Sequence, residues 1–151
     1  MSDTNDTTQT VTLSRSFDVS AQRLFDAWAI PEQTCRWMGP RSVKCRIDFW
    51  DFREGGNYEL VMISDEGNEF PAHGTFETID RPRRLALSWA WQHEDRMQGV
   101  ETLLELQFES IDANTSELRL THTRIPGVSQ AEHHQEGWDG TLDCLADYLA
   151  G

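Results

Sequence analysis

Six consecutive strand-like segments between residues 42 and 124 are separated by short connections rich in Gly, Asp, Asn and Pro, and a similar segment covers residues 11–17. Apolar and polar side chains alternate along them, which is typical of strands with one buried face. Connections of this length fit antiparallel hairpins, because parallel neighbours need long crossovers. The pattern therefore predicts one antiparallel sheet of about seven strands.

Helical spacing replaces this alternation first between residues 18 and 40. Asp18 or Ser20 can cap a first short helix by accepting hydrogen bonds from its free amides. The residue before a proline avoids the helical region, so this helix is expected to end at Ile30. A second short helix is then expected to begin at Pro31 and to end before Gly39.

The second helical region, residues 128–149, is long enough to cross a small sheet. Its apolar side chains form one stripe, which contains Trp138, Leu142, Leu145 and Leu149. A one-layer sheet must cover its apolar face, and this helix is the one predicted element of sufficient size. Because sheets twist, we expect the strands to curl around the helix and to leave a space in which a ligand can bind.

Length and charge narrow the class of protein. The 151 residues suit one domain, expected over residues 10–151 behind a flexible tail at 1–9. A formal net charge of −13 repels phosphate backbones and anionic lipid, so we expect no nucleic-acid and no membrane partner. The N-terminus lacks a signal-peptide pattern, and the three cysteines form no disulfide pattern. These features indicate a cytoplasmic protein.

A series of short motifs runs through the chain from about Val11 to Leu149. They are Arg15-x-Phe17, Phe25-Asp26-Ala27-Trp28, Pro31-Glu32, Trp37-Met38-Gly39-Pro40, Gly55-Gly56, Gly74-Thr75-Phe76-Glu77, Arg84-Leu85, Trp89-x-Trp91, Thr121-His122 and Gly137-Trp138. In this order they resemble the activator-of-heat-shock-ATPase homologue family of the START-like (SRPBCC) superfamily, with Met38 in place of a second aromatic residue. The resemblance implies an α+β helix-grip fold, in which a curved antiparallel sheet surrounds a long C-terminal helix.

The same resemblance implies several kinds of function. Members of the superfamily include carriers of lipids and hormones, polyketide cyclases and aromatases, and a co-chaperone domain linked to the stress response. Since one fold hosts many functions, the resemblance implies a cavity rather than a particular chemistry.

Strand parity indicates which side chains face the expected cavity. In residues 84–92, for example, Leu87, Trp89 and Trp91 share one face. Most inward-facing apolar residues simply form a core, but a pocket of this type also suits a small molecule. The candidate ligand-binding residues are Arg15, Trp37, Tyr58, Leu60, Met62, Phe76, Leu87, Trp89, Trp91, Leu104, Leu106, His122, Trp138 and Leu142.

Two of these candidates carry polar chemistry. Arg15 shares the parity of Leu13 and Phe17, so its guanidinium needs a carboxylate, carbonyl groups or an anionic ligand. We favour a structural ion pair, or a side chain that snorkels to solvent at the end of the strand, over ligand binding. His122 faces inward and could act as a general base if it had a partner such as Tyr58, but we favour a core histidine whose hydrogen bonds are satisfied.

Other reactive groups carry weaker signals. His133 and His134 are adjacent on a helix and point about 100° apart, so they cannot chelate one metal ion together. No nucleotide, cofactor or hydrolase motif is present, and we expect no cofactor and no metal. Among the cysteines, Cys35 stands out because it lies beside Arg36, a setting that can promote a reactive thiolate.

We therefore expect a binding protein, either a monomer or a homodimer, that holds a hydrophobic small molecule between sheet and helix. No residue is assigned a catalytic role. A protein-interaction module acting on a chaperone ATPase and a cyclase- or aromatase-like enzyme remain alternatives.

Overall fold

The computed structural model describes residues 8–40, 42–92 and 100–151. The elements follow in the order β1 (Thr8–Phe17), α1 (Ala21–Ala29), α2 (Pro31–Trp37), β2 (Lys44–Trp50), β3 (Asn57–Ile63), β4 (Glu69–Asp80), β5 (Arg84–Trp91), β6 (Thr102–Asp112), β7 (Thr115–Pro126) and α3 (Val128–Ala150). The strands form one antiparallel sheet in the order β1-β7-β6-β5-β4-β3-β2. This is the helix-grip fold, and the prediction of an α+β protein with about seven strands is confirmed.

The expected flexible tail and one expected loop lie largely outside the residues that the structure describes. Strand β1 begins at Thr8, and residues 1–7 lie outside the described residues, as does the polar loop expected at residues 93–99.

Helices α1 and α2 are joined by local hydrogen bonds. Ser20 caps α1, its hydroxyl accepting from the Arg23 amide over 3.1 Å. The Thr34 hydroxyl lies 3.0 Å from the Ala27 carbonyl, and the Trp37 indole donates to the same carbonyl over 3.1 Å. These bonds satisfy carbonyl groups at the end of α1 and hold the two helices in a fixed relation.

A bulge in β2 decides which of its side chains enter the core. The register with β3 shifts between Ile47 and Phe49. Ile47 and Trp50 pack against the core, whereas Asp48 and Phe49 are both exposed. An extra residue in a strand interrupts the alternation of faces, which explains why Phe49 points outward although Ile47 points inward.

The concave face of the sheet is covered by two helical units rather than by the long helix alone. Trp28 on α1 and Trp37 on α2 belong to the same buried cluster as Trp138 and Leu142 on α3. The sequence-based expectation that α3 supplies the whole cover is therefore incomplete. The short helices bring additional indole rings into the space between sheet and helix.

Candidate functional site

An open cleft of about 330 Å³ lies between the N-terminal half of α3 and the ends of β3 and β5. Its apolar walls are supplied mainly by three indole rings and a thioether. The lining residues are Pro40, Met62, Trp89, Trp91, Gln130, His133, His134, Gly137, Trp138 and Thr141. The volume is at the lower end of the range typical of small-molecule sites.

The middle of the expected cavity is filled by side chains. A void of about 10 Å³ remains there, comparable to the volume of one water-sized probe. The side chains that surround it come from the two short helices, the residue after α2 and five strands: Trp28, Thr34, Met38, Trp50, Tyr58, Leu60, Phe76, Leu85, Leu87, Trp89 and Leu104. The cleft thus lies beside the N-terminal half of α3, and not at the centre of the space between sheet and helix, where the cavity was expected.

The candidate residues from the sequence divide between these two places. Met62, Trp89, Trp91 and Trp138 line the cleft. Tyr58, Leu60, Phe76, Leu87 and Leu104 surround the small void, as does Trp89. Trp37, Leu106, His122 and Leu142 are buried outside both linings.

Arg15 lies away from the cleft and joins β1 to α3. Its guanidinium contacts the carboxylates of Asp139 at 2.8 Å and Asp143 at 2.6 Å. The two acidic residues are four positions apart, so they share one face of α3. Arg15 therefore has two carboxylate partners within the chain.

His122 is fully buried and has a protein partner on each ring nitrogen. The Trp138 indole donates to Nδ1 over 3.0 Å, and Nε2 lies 2.7 Å from the Thr102 hydroxyl. An indole N–H can only donate, so Nδ1 accepts and the neutral ring carries its proton on Nε2. Thr102 accepts that proton's hydrogen bond and in turn donates to the Trp89 carbonyl over 2.6 Å. Tyr58, the partner considered from the sequence, instead donates to the Ser88 carbonyl over 2.6 Å.

This environment makes His122 a poor proton acceptor. Burial lowers the pKa of His122 to about 3, and the nearby His134 adds to the effect. A general base needs a free lone pair and a pKa near the working pH. His122 has neither, because its acceptor nitrogen already binds Trp138.

A second indole–imidazole pair stands at the edge of the cleft. The Trp91 indole donates to Nε2 of His134 over 3.1 Å, and Nδ1 of His134 lies 2.7 Å from the Gln130 carbonyl. In the neutral ring the proton therefore sits on Nδ1, the opposite tautomer to His122. The two imidazole rings are 5.1 Å apart and nearly perpendicular. His134 thus ties β5 to α3 at the point where the cleft opens.

The indole N–H of Trp89 is a buried hydrogen-bond donor. It is buried without a hydrogen-bond partner among the described residues, as is the indole N–H of Trp28. Trp89 is the residue shared by the cleft and the inner void. Buried donors usually have a partner, so these two N–H groups are exceptions among the described residues.

Sequence reasoning missed the helical wall of the cleft. Gln130, His134, Gly137 and Thr141 follow one another at steps of four, three and four, which places them on one face of α3. These side chains are too small or too polar to continue the apolar stripe that starts at Trp138. This break in the stripe is the signal that could have placed open space here.

No cluster of three or more His, Cys, Asp or Glu side chains suited to a metal ion occurs within residues 8–40, 42–92 and 100–151. In the same part of the chain, no helix is both long and apolar enough to cross a membrane.

Comparison with known proteins identifies the family. Residues 18–150 match the family model described as activator of Hsp90 ATPase homolog 1-like protein. The chain belongs to this family. No functionally curated protein matches its sequence.

Solved structures of similar proteins share the fold. The AHSA1 protein of Silicibacter pomeroyi has 26% identity and a TM-score of 0.84, and the match covers 94% of this chain and 98% of that one. A protein of Chromobacterium violaceum has 19% identity and a TM-score of 0.84 over 91% and 94% of the two chains. A protein of Arthrobacter aurescens has 19% identity and a TM-score of 0.82 over 93% and 86%. Membership of this family is compatible with a ligand-binding or an activator-type module.

Proposed function

We propose that the protein binds a small apolar molecule in the cleft at the N-terminal half of α3. The observation that carries this proposal is the cleft of about 330 Å³ walled by Trp89, Trp91 and Trp138, beside a central core in which a void of only about 10 Å³ remains. Indole rings provide large, rigid apolar surfaces, and each methylene that a guest buries there contributes about 0.8 kcal/mol.

The polar groups at the cleft restrict the guest further. Gln130, His133 and Thr141 stand on its helical wall. A matching guest is a one- or two-ring aromatic or short-chain molecule with a hydrogen-bond acceptor, such as a carbonyl or carboxylate oxygen. A guest of this size sits at the mouth of the helix grip and leaves the central core unchanged.

Binding is better supported than acid–base catalysis. Both ring nitrogens of His122 are used by the protein, and its low pKa keeps the ring neutral. An enzyme of the cyclase or aromatase type would therefore need a different residue as its base.

Gly137 offers a direct test of the cleft. A Cβ added there meets no described heavy atom within 4 Å, so a larger side chain can extend into open space. We expect aromatic acids and ketones screened by thermal shift and tryptophan fluorescence to raise the Tm of the wild type and of Gly137→Ala. Gly137→Leu should abolish the shift because its side chain occupies the cleft.

Two results would contradict the proposal. One is the absence of any thermal or fluorescence response to saturating ligands across the screen. The other is an undiminished response in Gly137→Leu, which would place the guest elsewhere. Native mass spectrometry of the freshly purified protein gives an independent readout of a retained small molecule.

An activator-type role is the second candidate, and one feature favours it. Phe49 is 54% exposed on β2, which is an edge strand of the sheet. An exposed aromatic ring beside unpaired backbone groups is a common contact point for another protein. Stimulation of a purified Hsp90-class ATPase by the wild type, and its loss in Phe49→Ser with Gly137→Leu still active, would support this alternative over the cleft.

A further inference from the structure

All three cysteines of the chain line one surface depression on the side of α2 that faces β2 and α3. They come from three separate elements: Cys35 from α2, Cys45 from β2 and Cys144 from α3. The depression measures about 510 Å³ and is open to solvent. Its floor and rim also include the connection from Trp37 to Lys44, apart from the undescribed residue 41. Three thiols from distant parts of the sequence therefore share one small-molecule-sized space.

The charge of this depression is opposite to that of the chain. Arg36 and Lys44 line it, and no Asp or Glu is among its described lining residues. The chain as a whole carries a formal net charge of −13. A local cationic site on an acidic surface attracts a small anion that the rest of the molecule repels. The side chains thus combine thiol chemistry with a preference for negative charge.

The three thiols differ in their surroundings. Burial raises the pKa of Cys45 to about 12, with a further contribution from Cys35, so the Cys45 thiol stays protonated. Cys45 and Cys144 both pack against the hydrophobic core. Cys35 lies on the outer part of α2 next to Arg36, and its thiol makes a weak contact of 3.7 Å with the Glu32 carbonyl. Cys35 is therefore the thiol best placed to react with a molecule in the depression.

We propose that this depression is a thiol-modification site, in which Cys35 exchanges with anionic low-molecular-weight disulfides. In this step the Cys35 thiolate attacks one sulfur of the small disulfide. A new bond forms between Cys35 and that sulfur, the original S–S bond breaks, and the other half leaves as a thiolate. Cys35 is oxidised and the leaving half is reduced, so the small disulfide is the oxidant. Arg36 and Lys44 hold the carboxylates of the reagent while the exchange occurs.

Small disulfides that differ in charge test this proposal, and the result does not depend on whether the cleft binds a ligand. The folded protein is treated separately with oxidised glutathione, which is anionic, with neutral dithiodipyridine and with cationic cystamine. Intact-mass kinetics and peptide mapping then follow the adducts. We expect one fast adduct with oxidised glutathione, located on Cys35 and formed about fivefold faster than with cystamine. Added salt should reduce this difference.

Variants separate the roles of the side chains. Cys35→Ser should lose the fast adduct, whereas Cys144→Ser should keep it. The double variant Arg36→Gln/Lys44→Gln should lower the ratio of the glutathione rate to the dithiodipyridine rate by about fivefold, a ratio that cancels changes in thiol reactivity. Thermal melts of each variant establish that it is folded. A fast adduct on Cys144 or Cys45, or a faster reaction with cystamine than with oxidised glutathione, would overturn the proposal.

Discussion

The indole of Trp138 on α3 donates a hydrogen bond of 3.0 Å to Nδ1 of His122 on β7, and this bond determines the protonation of a buried histidine. Nε2 therefore carries the proton and donates to the Thr102 hydroxyl, which in turn donates to the Trp89 carbonyl. The long helix is thereby tied to three strands through one imidazole. The resulting neutral ring has consequences for the pH dependence of stability.

Stability should fall as the pH is lowered from about 6.5 towards 3. The pKa of His122 is about 3 in the folded state, below its ordinary value of 6.5. Between these two values the imidazole binds a proton in the unfolded chain but not in the folded protein. The unfolded state therefore binds more protons between these two pKa values, and stability is lost with falling pH across that window. The expected slope is about 1.4 kcal/mol per pH unit.

His122→Gln isolates this contribution, because glutamine can keep hydrogen bonds to both partners but does not titrate. Urea unfolding of the two proteins between pH 7 and pH 5 should give a stability difference that narrows as the pH falls. Parallel pH dependences for the two proteins would show that His122 is not the group responsible.

Two glycines on α3 should respond differently to alanine. A Cβ on Gly137 meets open space, whereas one on Gly140 would lie 3.1 Å from Cβ of Pro40. Glycine costs a helix interior about 1 kcal/mol relative to alanine, so Gly137→Ala should raise the free energy of unfolding by about that amount. Gly140→Ala should gain less or lose stability because Pro40 must move. Equal gains in urea unfolding would contradict the close approach of Pro40 to the helix.

The ion pairs of Arg15 should contribute modestly. The side chains of Arg15, Asp139 and Asp143 are 27%, 61% and 55% exposed, so solvent screens their attraction. Arg15→Gln should cost about 1 kcal/mol, part of it because the two carboxylates on α3 then repel each other. In an Asp139→Asn/Asp143→Asn background the same substitution should cost close to nothing. If Arg15→Gln lowers stability just as much in that background, Arg15 stabilises the protein by packing and not by its ion pairs.

Tyr58→Phe probes the buried hydrogen bond between β3 and β5. Its hydroxyl donates to the Ser88 carbonyl over 2.6 Å, and the residue is fully buried. Loss of this bond should lower the free energy of unfolding by about 1–2 kcal/mol, since the carbonyl loses its side-chain donor in a dry environment. Tyr148→Phe, at a half-buried position on α3, is the matched control and should change stability by less than about 0.5 kcal/mol. Similar losses of stability in Tyr58→Phe and Tyr148→Phe would show that the hydrogen bond of Tyr58 does not make the expected contribution.

Local chemistry was enough to predict most elements. Pro31 determines both the end of α1 and the start of α2, and the bounds Pro31–Trp37 agree with the prediction. The alternation in β5 and β6 also placed Leu87 and Leu104 in the core. The need of Arg15 for a partner could be inferred from its parity. Its partners could not, because Asp139 and Asp143 lie 124 and 128 positions away and only the packing of α3 on β1 brings them close.

The site was predicted less well, for a reason of packing. Parity tells which face a side chain lies on, but not how much of the space in front of that face other side chains occupy. Trp28 and Trp37 enter that space from the short helices, and the centre is filled. The cleft lies where α3 carries Gly137 and polar residues, a place that no strand pattern indicates.

The amino-acid sequence by itself determined the sheet, the three helices and the faces of most strands, because these depend on periodicity and on local backbone preferences. Its short motifs, taken in order, also indicated the family by resemblance. Tertiary structure alone decided where open volume remains, which nitrogen of His122 is protonated, and that three cysteines separated along the chain share one cationic depression. These features depend on distances between side chains from different elements, which local patterns do not encode.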